Sequence, residues 1–137
     1  MTLSSFFEAL TAGGKTALAS TAIGCLGVLV YSVAVNQKTV YLTFAIITVA
    51  FISVLLGGLQ GSLTAGTPGW LHGGVVAALY SCFIILAELL ISPSLVYYPD
   101  NVLLIAGLLL TGMLGGVAGV NLRYIVRIRA RRKYFNF

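Results

Sequence analysis

Four long apolar runs leave this chain few choices of fold. Residues 16–37 lie between Lys15 and Lys38 with no charged side chain among them, and residues 39–60 follow without one. Residues 70–91 hold one acid, Glu88, and residues 102–122 separate Asp100 from Arg123 without a charge. About 20 residues of α-helix rise ~30 Å, the thickness of a hydrocarbon core. A segment that long must satisfy its own backbone N–H and C=O groups in lipid, and a helix does so internally. The alternation of a membrane β-barrel is absent from these runs. The whole composition agrees: 59% of residues are hydrophobic and only 8% charged, against about 25% charged in a soluble domain.

The expected fold is therefore an all-α integral membrane protein. A four-helix transmembrane domain occupies residues 1–122, with spans near 16–37, 39–60, 70–91 and 102–122. A basic tail follows over residues 123–137. Four spans put both termini on one side. Lys15, Arg123, Arg127, Arg129, Arg131, Arg132 and Lys133 then share that side, and Lys38 alone faces the other. Such a bias places both termini in the cytoplasm of a cell carrying the protein in its plasma membrane. Ser32-Val33-Ala34 has the small-residue form of a signal-cleavage site. The apolar run before it is longer than a signal core, so the first span is expected to stay attached.

Self-similarity suggests how the spans group. "GGKTALAS" (13–20) opens the first span and "GGVVAALYS" (73–81) the third, while "GGLQG" (57–61) closes the second and "GGVAG" (115–119) the fourth. Each half reads as a hairpin bounded by Gly-Gly, and two hairpins of one orientation form a parallel repeat about the membrane normal. Small residues also recur every four positions: Gly57, Gly61 and Ala65; Gly69, Gly73, Ala77 and Ser81; Gly107, Thr111, Gly115 and Gly119, with Gly112 and Gly116 beside them. Residues four apart share a helix face, and small residues there allow close approach of helices in lipid. Glycine-rich packing is expected at the end of the bundle that carries these pairs.

That end also carries "GTPGWLHGG", with the only Trp and the only His of the chain, Trp70 and His72. Thr67-Pro68-Gly69 is a turn signal. Trp70 at the head of the third span suits a headgroup-level anchor. His72, in the first helical turn, is either a polar residue at a helix end or a group titrating near neutral pH as a sensor or proton carrier. Glu88 is either a carboxylate at the far membrane edge or an ion-handling group. The two lie 16 residues apart, ~24 Å along one helix, so they form no direct pair within one chain. Arg123 through Lys133 are candidates for anionic lipid headgroups. No nucleic-acid partner is expected.

Cys25 and Cys82 sit within spans as small packing residues, with no Cys-x-x-Cys or Cys/His grouping to suggest a metal or redox site. No phosphate loop, Gly-x-Gly-x-x-Gly or His-Glu-x-x-His pattern implies a cofactor. One His, three acids and scattered hydroxyls offer no nucleophile with a base placed beside it, so the chain is expected not to be an enzyme.

Read together, these motifs resemble a family of small four-helix membrane proteins of Gram-positive bacteria. Its pattern is Gly-Gly-x-x-Ala/Gly, then Lys-Gly-Trp-Leu-His-Gly, then a closing Gly-Gly-x-x-Gly-Val-Asn. Gly57, Gly58, Gly69, Trp70, Leu71, His72 and Gly73 match in register, as do Gly115, Gly116, Gly119, Val120 and Asn121. The chain departs from it between the second and third spans, where Leu63, Thr64 and Pro68 stand in place of basic residues. The resemblance implies the four-helix fold; the family it points to has no established biochemical activity. It also implies a link to protein-export machinery, near which such members are encoded. Two roles follow as expectations. One is a non-enzymatic subunit or modulator of a larger membrane complex; the other is a small homo-oligomeric channel or transporter. For orientation, a reporter active only in the cytoplasm is expected to work when fused after Phe137 and to fail when inserted beside Lys38.

Overall fold

A computed structural model of the chain describes residues 3–35, 39–65, 68–91 and 99–135. Four helices account for nearly all of them: α1 (Leu3–Val35), α2 (Thr39–Ala65), α3 (Gly69–Ile91) and α4 (Pro99–Phe135). There is no strand among the described residues. All four helices are long and apolar enough to cross a membrane, over Phe6–Val35, Tyr41–Ala65, Gly69–Ala87 and Asn101–Arg129. The chain is a multi-pass membrane protein.

The helices overrun the charge-free segments at both ends of the chain. α1 starts at Leu3, and α4 continues through the basic residues to Phe135, 37 residues in all. The tail is thus one rod with the last span, ~55 Å long at 1.5 Å per residue. The reason is local. No Gly or Pro follows Gly119, and Arg, Lys and Ala are good helix formers. Charge ends a hydrophobic span; it does not end a helix.

α2 sits at the centre, packed on α1, α3 and α4; α3 also packs on α4 and, less extensively, on α1. A strict two-fold between the hairpins would match the α2–α3 contact with one between α1 and α4, yet α1 and α4 barely meet. The two hairpins therefore run alike but pack unequally.

Burial is confined to one half of the bundle. Buried residues fall at Ala9, Gly13 and Ala17 of α1, between Ser53 and Ser62 of α2, between Gly69 and Ser81 of α3, and between Leu108 and Gly119 of α4. The chain directions bring all of these to the end where α2 passes into α3. A Cβ added at Gly73 would strike the Gly112 carbonyl and lie 2.9 Å from Gly116 Cα; one at Gly112 would lie 2.8 Å from the Gly73 carbonyl. Across α1 and α2, a Cβ at Gly57 would lie 2.8 Å from Ala17 Cβ and 2.9 Å from the Gly13 carbonyl. Gly58 abuts the Gly112 carbonyl, Gly115 the Leu55 carbonyl and Gly119 the Leu59 carbonyl. Here backbone touches backbone, so any side chain must push two helices apart. The small core that results contains Ala17, Val54, Ala77, Tyr80 and Leu108.

Gly14 is different: a Cβ there meets nothing within 4 Å. Gly116→Ala is expected to cost about 1–3 kcal/mol through overpacking. Gly14→Ala should be neutral or stabilise by up to about 1 kcal/mol through helix propensity. Thermal unfolding in mild detergent, followed by circular dichroism, checks both; equal midpoints for the two variants would contradict the packing described.

Candidate functional site

Pro68 and Gly69 start α3. Pro68 cannot continue α2, and its carbonyl accepts the first bond of the next helix, from the His72 amide at 3.5 Å. That register fixes where the following side chains point. Residues two apart on a helix face opposite ways, so Trp70 turns outward, 53% exposed, while His72 turns inward, 2% exposed.

His72 is held at both ends of its ring environment. Its Nδ1 lies 2.7 Å from the Pro68 carbonyl. A carbonyl only accepts, so Nδ1 carries a proton and donates it to this bond. Nε2 is buried and has no hydrogen-bond partner among the described residues. The Phe6 ring of α1 covers the imidazole, with centroids 5.9 Å apart. Beside it, the buried Ser62 hydroxyl donates to the Gly69 carbonyl at 3.0 Å, tying the last turn of α2 to the first residue of α3. Outside the corner, an Arg123 guanidinium nitrogen donates to the Thr64 carbonyl at 3.3 Å. A cation at a helix C-terminus bonds an orphan carbonyl and complements the dipole. This gives Arg123, grouped by sequence with the lipid-facing residues, a bond within the bundle.

The other sequence candidates divide between the corner and elsewhere. Gly57, Gly58, Gly69, Gly73, Gly115, Gly116 and Gly119 are all buried in the glycine contacts around it, whereas Asn121 is exposed on α4. Arg127 and Arg129 are exposed further along α4. Glu88 belongs to α3, but its side chain and those of Arg131, Arg132 and Lys133 lie outside the described residues.

Deeper along α3, the Tyr80 and Thr21 hydroxyls share a hydrogen bond of 2.8 Å between α3 and α1. Tyr80 borders a groove of about 210 Å³ between α1 and α3, lined also by Gly14, Ala17, Leu18, Val76, Leu79 and Phe83. Ser81 is buried with its hydroxyl unpartnered among the described residues. Phe6, Ser62, Thr21 and Tyr80 were not evident as site residues from sequence. Only Ser62 left a trace, four positions after Gly58 on one helix face. The hydroxyls do not assemble with His72 into a proton-transfer pair. Ser62 is committed to a carbonyl, and Ser81 lies nine residues along α3, ~13 Å away.

A family model covers this packed region from Phe6, over His72, to Gly119, against Leu59: it matches residues 6–119. The chain belongs to the family described as protein of unknown function, DUF3792. No curated protein matches it, and no solved structure does. The matched region coincides with the glycine-welded bundle and leaves the basic end of α4 outside.

Removing His72 should unseat the corner. His72→Ala leaves the Pro68 carbonyl short of a donor and a cavity under Phe6, an expected loss of about 2–4 kcal/mol. Trp70→Ala, on the exposed face, should change stability by less than about 0.5 kcal/mol. Detergent unfolding midpoints of the two variants test the contrast.

Proposed function

We propose that this protein is a non-enzymatic subunit or modulator of a larger membrane assembly. The observation carrying this reading is the one-sided packing. The glycine corner is closed backbone to backbone, while from Leu18 to Val35 of α1 no described residue is buried. The same holds for the first halves of α2 and α4 described here, up to Ile52 and Gly107. Half of the bundle thus presents large apolar side chains outward, among them Ile23, Leu26, Val30, Phe44, Leu103 and Val102. Lipid-embedded helices associate through packing and interhelical hydrogen bonds. A bundle rigid at one end and open at the other suits insertion against further helices.

In this reading both termini are cytoplasmic and the membrane is the plasma membrane, supported by the Lys and Arg bias. The basic end of α4 stands among anionic headgroups, with Arg127 and Arg129 exposed. Each such residue contributes about 1 kcal/mol near an anionic surface. The resemblance to members encoded near export components makes protein-export machinery the first assembly to examine.

Gentle purification of the tagged protein from its native membranes, with mass spectrometry and native mass, tests the reading. The expected outcome is a second membrane protein in fixed ratio. A homo-oligomer with no partner would overturn it in favour of a channel or transporter, to be pursued by flux assays on Glu88→Gln and His72 variants.

A further inference from the structure

α1 carries a cation, Lys15, that has no hydrogen-bond or ion-pair partner among the described residues. The inward face of α1 runs through Phe6, Ala9, Gly13 and Ala17, of which the last three are buried and Phe6 meets His72. The opposite face runs through Glu8, Thr11, Lys15, Ala19 and Ala22, all exposed. Their spacing of three or four puts them in one stripe.

Contacts across the bundle act as rulers for depth. Gly57 of α2 lies against Gly13 and Ala17, so Lys15, midway between them, is level with Gly57. Eight residues separate Gly57 from Ala65 at the end of α2, ~12 Å. On α3, Val76 lies against Gly13; it stands seven residues after Gly69, and Lys15 is two residues beyond Gly13, ~13 Å from the helix start. Both rulers put the Lys15 backbone about 12 Å inside the end of the bundle. Glu8 is seven residues back toward that end, ~10 Å away along the helix and out of ion-pair range. An ionisable residue within a span is costly to leave facing hydrocarbon and marks a site or a partner.

We propose that this outward face of α1 is the docking surface for the partner subunit, whose contact is a membrane helix with a carboxylate level with Lys15. The proposal rests on the subunit reading and adds the surface and the chemistry. Charge complementarity supplies the carboxylate, and Ala19 and Ala22 below it allow a helix to approach closely. Beyond Ala17 no residue of α1 is buried as far as Val35, so the lower part of this face, at Ala19 and Ala22, continues into surface the bundle leaves uncovered. A second copy of this chain does not fit. Copies related about the membrane normal keep every residue at its own depth, and the chain's acids Glu8, Glu88 and Asp100 lie at other depths along the helices than Lys15. Snorkelling to a lipid phosphate accounts for Lys15 alone and leaves the small residues beneath it without a role.

The test places a photo-crosslinking residue at Ala22 of the full chain in native membranes, with Leu114 on the outer face of α4 as control. It compares wild type, Lys15→Arg and Lys15→Leu, each checked for an unchanged unfolding midpoint. The expected result is one adduct from Ala22 and none from Leu114. That adduct should be kept in Lys15→Arg and reduced at least tenfold in Lys15→Leu, and its partner peptide should carry Asp or Glu within two turns of the cross-link. An adduct undiminished in Lys15→Leu, or one with a second copy of the chain, would overturn the proposal. So would loss in Lys15→Leu of co-purified anionic phospholipid only. If the partner stays in fixed ratio with Lys15→Leu, the subunit reading stands and the α1 surface falls. If wild type has no partner at all, the subunit reading itself falls.

Discussion

The contact on which this molecule depends is backbone against backbone. Gly69 and Gly73 of α3 meet Gly112 and Gly116 of α4 with no side chain between them. In lipid, the hydrophobic effect does little to drive helices together, because the tails around them are as apolar as leucine. What remains is close van der Waals contact, which strengthens as backbones approach. Glycine permits that approach at a cost of about 1 kcal/mol per residue in helix propensity relative to alanine. Where Gly14 carries the same cost without such a contact, it borders the groove between α1 and α3 instead.

The glycine weld determines the setting of the polar corner. Because α2, α3 and α4 are drawn together near Gly58, Gly73 and Gly112, the first turn of α3 is held against the bundle end. His72 then has nowhere to go but inward. There its Nδ1 donates to the Pro68 carbonyl, and Phe6 packs against the ring. Ser62 and Arg123 bond the neighbouring carbonyls of Gly69 and Thr64. Buried polar groups are rigidifying when satisfied, and among the described residues one buried side-chain atom of this corner, His72 Nε2, lacks a partner. The opposite half of the bundle lacks glycine contacts of this density, and its helices display their apolar side chains outward. On the proposed subunit reading, the packed end holds the fold and the open end leaves surface for a partner helix.

Much of the fold was legible residue by residue, because lipid restricts a chain so severely. Absence of charge marked the four helices, and Pro68-Gly69 marked the start of α3, while Thr67 of the turn signal lies outside the described residues. Helix ends were less legible: hydropathy reports where the membrane stops, whereas helix propensity carried α4 through Arg123, Arg127 and Arg129 to Phe135. The site was only half visible. Trp70 and His72 stood out as singletons, but Ser62, Thr21 and Tyr80 are ordinary residues in helices, and their bonds join positions as distant in sequence as 21 and 80. Phe6 lay before the expected first span and gained its role only because α1 begins earlier.

By itself, the sequence determined that the chain is a multi-pass helical membrane protein, since no other backbone arrangement satisfies such apolar runs in lipid. It also determined that small residues line particular helix faces, since periodicity is a property of one helix. Which faces meet was decided only in the tertiary structure. Lys15 and Gly13 are two residues apart; one faces outward at depth and the other is sealed against Gly57. That difference depends on where three other helices stand, and pairwise packing between distant segments leaves no mark on the spacing of either one.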